Sequence, residues 1–198
     1  MSVIAAIKKN GCIYMVCDTL CSMGDRKLNP IGDENRKIYQ LKNGMIIGDS
    51  GRALFAHIME SDTEIFTIPE DGELTKEYVV TVIVPKLVKC YKDNKLLEKS
   101  ENNSTTAPNH YILVYKDKMF TINARFRVEK IEHYTCIGSG TAEAIAGLIA
   151  LDEDNIFDRD EVNKHLIDIV RISASHKKSV GAPFYLIDSQ RQEFKLVE

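Results

Sequence analysis

The first fifty residues consist of short apolar runs separated by turn-forming residues. This pattern predicts strands over residues 3–9 and 12–19, joined by Asn10-Gly11, a pair typical of tight β-hairpin turns. A second hairpin is predicted from residues 36–41 and 45–49, around Lys42-Asn43-Gly44. Residues 24–33 between the two hairpins are polar and rich in turn formers. The chain therefore begins as β structure.

Apolar residues at helical spacing come next. Residues 52–59 and 75–93 are each predicted to form a helix, the second despite a β-branched run at 79–84 and a kink expected at Pro85. Two more helical stripes occupy residues 144–149 and 162–173, and Asp158 with Glu161 has the spacing of a capping box before the last one. Further strands are predicted at residues 110–115, 119–122, 126–131, 134–137, 184–188 and 193–197.

The order of these elements predicts a fold class. Strands, two helices, strands, two helices and strands suit an α+β protein in which helices flank two packed antiparallel sheets, a four-layer αββα sandwich. Residues 98–108 are polar and are predicted to be a mobile loop, since no change in composition marks a domain boundary there. We expect residues 1–198 to form one domain.

Composition narrows the function classes. A formal net charge of −3 gives no electrostatic reason to expect nucleic acid or an anionic membrane as a partner. The five cysteines include no Cys-x-x-Cys pair, and neither a secretory signal nor a membrane-spanning stretch is evident, so we expect reduced thiols and a cytoplasmic location. The five histidines are scattered without metal-ligand spacing, so neither a metal nor a cofactor is expected.

The candidate nucleophile is Ser2, directly behind the initiator methionine. Removal of Met1 would leave Ser2 with a hydroxyl nucleophile and an amine base on one residue, and such an amine titrates at about 7.7–8. Asp18 ends an apolar strand that the Asn10-Gly11 hairpin folds back toward residue 2, and Lys37 begins the third strand. The pair could tune the serine electrostatically, or the two could be surface residues or an unrelated ion pair.

Two glycine-containing segments at strand-to-helix junctions are candidates for the remaining roles. Gly51 follows one strand, and its backbone N–H is suited to stabilising an oxyanion. Gly138-Ser139-Gly140 follows another strand and adds a hydroxyl. Taken alone, such a segment is more often an ordinary helix cap.

Taken together, these residues resemble a known family. Asp18 lies sixteen residues after Ser2, Lys37 stands in the basic pair Arg36-Lys37, and Gly51 comes fourteen residues after Lys37. With the Gly-Ser-Gly segment around Ser139, this order resembles proteasome β-type subunits and the bacterial HslV peptidase, which share the N-terminal-nucleophile hydrolase sandwich. The resemblance implies that Ser2 attacks peptide bonds, that Lys37 and Asp18 tune it, that Gly51 holds the oxyanion and that Ser139 orients the amine.

The same resemblance implies a substrate pocket and partners. Asp49, Cys21 and Ala53 would line the pocket for the side chain before the cut, and Asp49 would favour a basic one; alternatively, Asp49 pairs with Arg52 or Lys42 and lines nothing. The expected substrates are peptides or unfolded proteins. The expected assembly is a homo-oligomeric ring served by a separate ATP-driven unfoldase, because the chain has no Walker-type phosphate loop.

The chain also departs from the family pattern. Lys177 and Val180 fall where relatives have an aspartate and a serine close to the nucleophile, although Ser179 is one position away, and residues 24–33 look enlarged. These departures leave two alternatives open. The chain could be a non-catalytic ring or scaffold subunit, or it could be an amidase acting on a small amide.

Overall fold

The described part of the chain forms fourteen strands and four helices. In this computed structural model it comprises residues 2–23, 26–28, 36–52, 58, 64–99 and 105–198. The strands are β1 (Val3–Lys9), β2 (Cys12–Asp18), β3 (Cys21–Met23), β4 (Arg26–Leu28), β5 (Ile38–Gln40), β6 (Ile46–Ser50), β7 (Glu98–Lys99), β8 (Thr105–Thr106), β9 (His110–Tyr115), β10 (Lys118–Ile122), β11 (Val128–Ile131), β12 (Tyr134–Gly138), β13 (Phe184–Asp188) and β14 (Lys195–Val197). The α-helices are α1 (Lys76–Tyr78), α2 (Val84–Asp93), α3 (Thr141–Glu153) and α4 (Arg159–His176), and a π-helical segment, Val79–Ile83, joins α1 to α2.

Two five-stranded antiparallel sheets form the centre of the molecule. The first has the order β12-β1-β2-β13-β14 and the second the order β11-β10-β9-β6-β5. The turn between β1 and β2 has positive φ at Asn10 (52°) and Gly11 (73°), which is why an Asn-Gly pair occurs there. Its register places Lys9 opposite Cys12 and Ile4 opposite Cys17, so Asp18 arrives beside the start of β1.

The fold has four layers, in the order helices, first sheet, second sheet and helices, and an apolar layer lies between each neighbouring pair. Alternate residues of β1 and β2 point to opposite faces, as the pleat of a strand requires. Val3, Ala5 and Ile7 pack toward α3 and α4, whereas Ile4 and Ala6 pack against the second sheet. The outer face of the second sheet is covered by the helical residues 76–93. Both faces of β1 are thus buried, which explains its uninterrupted apolar sequence. The predicted α+β, four-layer αββα sandwich is confirmed.

The helix predicted over residues 75–93 is present, with an irregularity where the sequence is β-branched. Thr75 caps its start by accepting a hydrogen bond from the N–H of Tyr78. The following Val-Val-Thr-Val-Ile run adopts π-helical geometry. Pro85 lies at the start of α2, directly after the π-helical segment. Asp158 caps α4 through the N–H of Glu161, as the capping-box spacing predicts.

Two segments predicted to be loops contain short paired strands. The polar stretch 24–33 contributes to a small hairpin, because β3 pairs with β4, although residues 24–25 and 29–33 lie outside the described residues. Residues 98–108 are not simply a loop, since β7 pairs with β8, with Glu98 opposite Thr106. The helix predicted over residues 52–59 falls almost entirely outside the described residues. Within the described chain, no helix is both long and apolar enough to cross a membrane.

Candidate active site

The site is built at the end of the first sheet, where β1 begins. Ser2 precedes β1 and is buried, with 4% of its surface exposed. On one side of it, the Asp18 carboxylate at the end of β2 accepts a hydrogen bond from the backbone N–H of Val3 (2.9 Å). On the other side, β12 pairs with β1 so that Gly138 lies opposite Val3. The sheet topology alone therefore brings Asp18 and Gly138 to the two flanks of Ser2.

Asp18 and Lys37 form a buried ion pair. The Nζ atom of Lys37 lies 2.7 Å from Oδ1 of Asp18 and donates a second hydrogen bond to the carbonyl of Leu20 (2.9 Å). Asp18 is fully buried and Lys37 is 8% exposed. The two residues are therefore a buried ion pair and not surface residues.

Burial and the neighbouring groups have opposite effects on the pKa of Asp18. Burial raises the pKa of the Asp18 carboxyl, and the Lys37 ammonium opposes that rise, together with the N–H groups of Val3 and Gly181. The Gly181 N–H reaches the second carboxylate oxygen at 3.3 Å. Because a buried carboxylate needs such partners to remain charged, Lys37 and Asp18 depend on each other for their position.

The Gly-Ser-Gly segment contacts the carbonyl of Ser2. Gly140 donates its N–H to the Ser2 carbonyl (3.1 Å), and the Ser139 hydroxyl lies 3.4 Å from the same oxygen. Gly138 has a φ of +100°, and a Cβ there would lie 2.2 Å from the Ser2 carbonyl oxygen. Only glycine fits this position, because any side chain would displace the nucleophile's own backbone.

A second hydroxyl, that of Ser179, lies beside Ser139. The Ser179 Oγ lies 3.2 Å from the Ser139 Oγ, and its side chain is buried. Val180, the residue expected at this place, instead packs into the apolar layer beneath α4. The hydroxyl beside Ser139 thus belongs to Ser179, one residue before Val180. A cis peptide bond between Ala182 and Pro183 follows in the same turn, before β13.

Lys177, at the position where the resemblance leads one to expect an acid, has a partner of its own. Lys177 is the C-cap of α4, and its Nζ lies 3.0 Å from Oε1 of Glu143 on α3. The hydrogen bond from Lys177 lowers the pKa of Glu143. A negative charge is therefore present in this region, but it is supplied by α3 and already paired with a cation.

The segment carrying Gly51 leaves the second sheet beside Ser2. Gly48 of β6 packs against the Ile4 side chain, and a Cβ on Gly138 would lie 3.1 Å from the Ser50 Oγ. Ser50 therefore faces Ser2 and the glycine segment, with Gly51 as the next residue. A Cβ on Gly51 would lie 2.4 Å from Cγ of Asn109 and 2.6 Å from the carbonyl oxygen of Pro108, so the backbone there is closely packed.

Asp49 lies on the other face of β6 from Ser50. It is 7% exposed, and its Oδ1 accepts a hydrogen bond from Nδ2 of Asn109 (2.7 Å). Burial raises its pKa to about 7, and the Asn109 hydrogen bond only partly opposes that rise. Of its two alternative partners, Arg52 and Lys42, Arg52 pairs with Glu98 instead. Asp49 is thus held by Asn109, a residue that sequence analysis did not single out.

The other two residues predicted to line the pocket differ in what can be said of them. Cys21 is half-buried and begins β3, directly after Leu20, whose carbonyl binds Lys37. Ala53 lies outside the described residues. All five cysteines are free thiols, and the described residues contain no group of three or more His, Cys, Asp or Glu side chains placed to hold a metal ion.

Comparison with solved structures places this arrangement in a known fold. The structure of Thiobacillus denitrificans BPH superposes with a TM-score of 0.75 at 18% identity, over 94% of this chain and 96% of that one. BPH in complex with epoxomicin gives 0.73 at 19% identity, over 94% and 97%. Eukaryotic HslV from Trypanosoma brucei gives 0.64 at 15% identity, over 94% and 98%. The chain has the HslV-type fold.

The HslV-type fold confirms the structural side of the resemblance drawn from the residues. The neighbours are HslV-like and proteasome-type chains that match this one over nearly its whole length. No family model and no curated protein matches the sequence. With identities below one fifth, the relationship is visible in the backbone, whereas the roles of individual side chains must be argued from the site itself.

Proposed function

We propose that the protein is an N-terminal serine peptidase of the HslV and proteasome type, active once Met1 is removed. The observation that carries the proposal is the buried Asp18 carboxylate, which binds both the Lys37 ammonium and the Val3 N–H beside Ser2. In the proposed mechanism the Lys37 charge, which Asp18 holds near the start of β1, favours the alkoxide of Ser2, and burial of the ion pair strengthens that effect.

The proposed reaction assigns one role to each of these residues. The Ser2 Oγ attacks the peptide carbonyl, and its proton passes to the Ser2 amine, through a water molecule where the two are not in direct contact. The Gly51 N–H stabilises the oxyanion, while Ser139 and Ser179 orient the amine. The amine then gives its proton to the leaving nitrogen as the C–N bond breaks. Hydrolysis of the resulting ester by water frees Ser2 and releases the second product.

Substrate preference is proposed from Asp49. A buried carboxylate that a substrate side chain could reach favours a basic one before the cut, because a charge pair is strong where water is excluded. We expect faster cleavage after arginine or lysine than after leucine at pH 8, where a group with a pKa of about 7 is ionised. The measurement is kcat/KM on matched fluorogenic peptides that differ only in that residue. Faster cleavage after leucine would contradict the assignment of Asp49.

The proposed assembly is a homo-oligomeric ring with Ser2 facing an inner chamber, in the cytoplasm, acting on peptides or unfolded proteins delivered by a separate ATP-dependent unfoldase. The second candidate function is a non-catalytic ring subunit. The Lys177–Glu143 ion pair favours this candidate, because it places a cation where related enzymes have an acid.

An intact-mass experiment decides between these two functions. Untagged protein is treated with a peptide epoxyketone, which closes a ring only on a residue that carries both a free amine and a hydroxyl. The peptidase predicts loss of Met1 and one adduct, which disappears in Ser2→Ala. Ser175→Ala, at an exposed serine on α4, is the matched control and should react like the wild type. Retained Met1 without an adduct would contradict the peptidase and support the ring subunit.

A further inference from the structure

Asn109 binds both ends of the turn that carries Gly51. Asn109 is completely buried and lies in the segment that connects β8 to β9. The Nδ2 atom donates to the Asp49 carboxyl at 2.7 Å and to the Arg52 carbonyl at 3.3 Å, and the Oδ1 atom accepts from the Arg52 N–H at 3.2 Å. One amide group therefore ties the residue before the turn to the residue after it, across 57 to 60 positions of sequence.

The Asn109 amide also packs closely against Gly51. A Cβ on Gly51 would come within 2.4 Å of Cγ and 2.6 Å of Nδ2 of Asn109, so only the bare glycine backbone fits between them. Hydrogen bonds at both ends and close packing in the middle define the direction of the Gly51 peptide plane. Neither aspartate nor leucine could replace these contacts at neutral pH, because this position both donates and accepts.

We infer that Asn109 is a positioning residue that sets the Gly51 N–H for the oxyanion and holds the Asp49 carboxyl for a basic substrate side chain. The inference rests on the proposed peptidase function and extends it. Through Asn109, transition-state stabilisation and substrate recognition share one hydrogen-bonded unit. Its loss should therefore alter turnover and the pH dependence of specificity together.

The pH dependence follows from the groups around Asp49. The hydroxyls of Tyr111 and Tyr91 hydrogen-bond to each other near Asp49, and Cys90 precedes Tyr91 on α2. The Arg52 guanidinium forms an ion pair with Glu98. The Asn109 donor opposes the rise in the pKa of Asp49 that burial causes. Without this donor the carboxyl should ionise at a higher pH, and preference for arginine over leucine should appear at a higher pH as well.

The test compares Asn109→Leu with wild type, using rates per active site counted by epoxyketone adduct. We expect kcat to fall at least tenfold on both arginine and leucine peptides with KM changed much less, since losing one oxyanion donor typically costs 10²–10³ in kcat. The pH midpoint of the arginine-to-leucine ratio of kcat/KM should rise by about one unit, as a charged hydrogen bond predicts. Titration of the Ser2 amine cancels in this ratio.

Asn123→Leu is the matched control. Asn123 also fastens a turn, accepting hydrogen bonds from the N–H groups of Arg125 and Arg127, but it lies at the β10–β11 turn. It should keep the wild-type kcat and pH midpoint. If Asn109→Leu does not fold, Asn109→Ala removes the same hydrogen bonds with a smaller side chain.

The outcomes separate the inference from the function beneath it. A reactive wild type combined with an Asn109 variant within threefold of its kcat, and with an unshifted midpoint, overturns the inference alone. A fall in kcat with an unshifted midpoint overturns the link to Asp49. A wild type that forms no adduct and cleaves no peptide overturns the proposed function and the inference together.

Discussion

Asp49→Asn tests whether the buried carboxyl beside the Gly51 turn makes stability depend on pH. Burial raises the pKa of Asp49 from the ordinary 3.8 to about 7 in the folded protein. The unfolded chain exposes the same group to water, where it ionises near pH 4. Between these two values the folded state keeps a proton that the unfolded state has lost. The free energy of unfolding must therefore decrease as the pH rises through this window.

The size of the effect follows from the width of the window. One pKa unit corresponds to about 1.36 kcal/mol, so the rise from pH 5 to pH 7 removes about 2.7 kcal/mol of stability, and further rise above pH 7 removes little more. The amide introduced by the substitution has no titrating group, yet its oxygen can accept the same hydrogen bond from Asn109. The variant should therefore gain about 2.7 kcal/mol relative to wild type between pH 5 and pH 8.

Urea unfolding of both proteins at pH 5, 6, 7 and 8 measures this difference. The protomer concentration must be the same in every titration, because assembly would shift apparent stability. Asp117→Asn is the control. The hydrogen bond from Lys118 lowers the pKa of this exposed carboxyl, so it is ionised in both states throughout this range and its difference should be flat. A flat difference for Asp49→Asn as well would refute the reasoning.

Two further substitutions test the framework of the site. Lys37→Met leaves the buried Asp18 without its cation, so it should lower the free energy of unfolding by about 3–5 kcal/mol and abolish the epoxyketone reaction. Lys118→Met removes one partner of a half-exposed ion pair and should cost less than about 1 kcal/mol. Equal losses in urea unfolding would argue against a special role for the buried pair. Gly138→Ala should lower Tm more than Gly11→Ala, because both glycines have positive φ but only Gly138 faces an atom, the Ser2 carbonyl oxygen, within 4 Å. Similar Tm values for the two variants would contradict the close approach at Ser2.

The sequence predicts most of the scaffold because the scaffold follows local rules. Asn10-Gly11 determines the turn, the turn determines the register of β1 and β2, and the register places Asp18 beside the start of β1. Uninterrupted apolar runs indicate strands buried on both faces, which in turn require a second sheet and a helical layer. The spacing of apolar residues also separates helices from strands, even where β-branched residues interrupt the pattern at 79–83.

The residues that the family spacing selects as the candidate site lie close to one another in the structure. Ser2, Asp18, Lys37 and Ser139 come together in the structure as that spacing implies, and Gly51 follows Ser50, which faces them. Their chemical roles remain predictions, as do the single-domain boundary and the pocket role of Cys21.

By itself, then, the sequence determined which segments are strands and helices and which faces they bury. It also determined that the first hairpin brings Asp18 close to Ser2. Only the tertiary structure revealed Asn109 beneath the Gly51 turn, Ser179 beside Ser139, and the Lys177–Glu143 pair. The physical reason is distance along the chain. These contacts join residues 34 to 60 positions apart through loops and helix ends, where neither periodicity nor turn chemistry specifies which side chains meet.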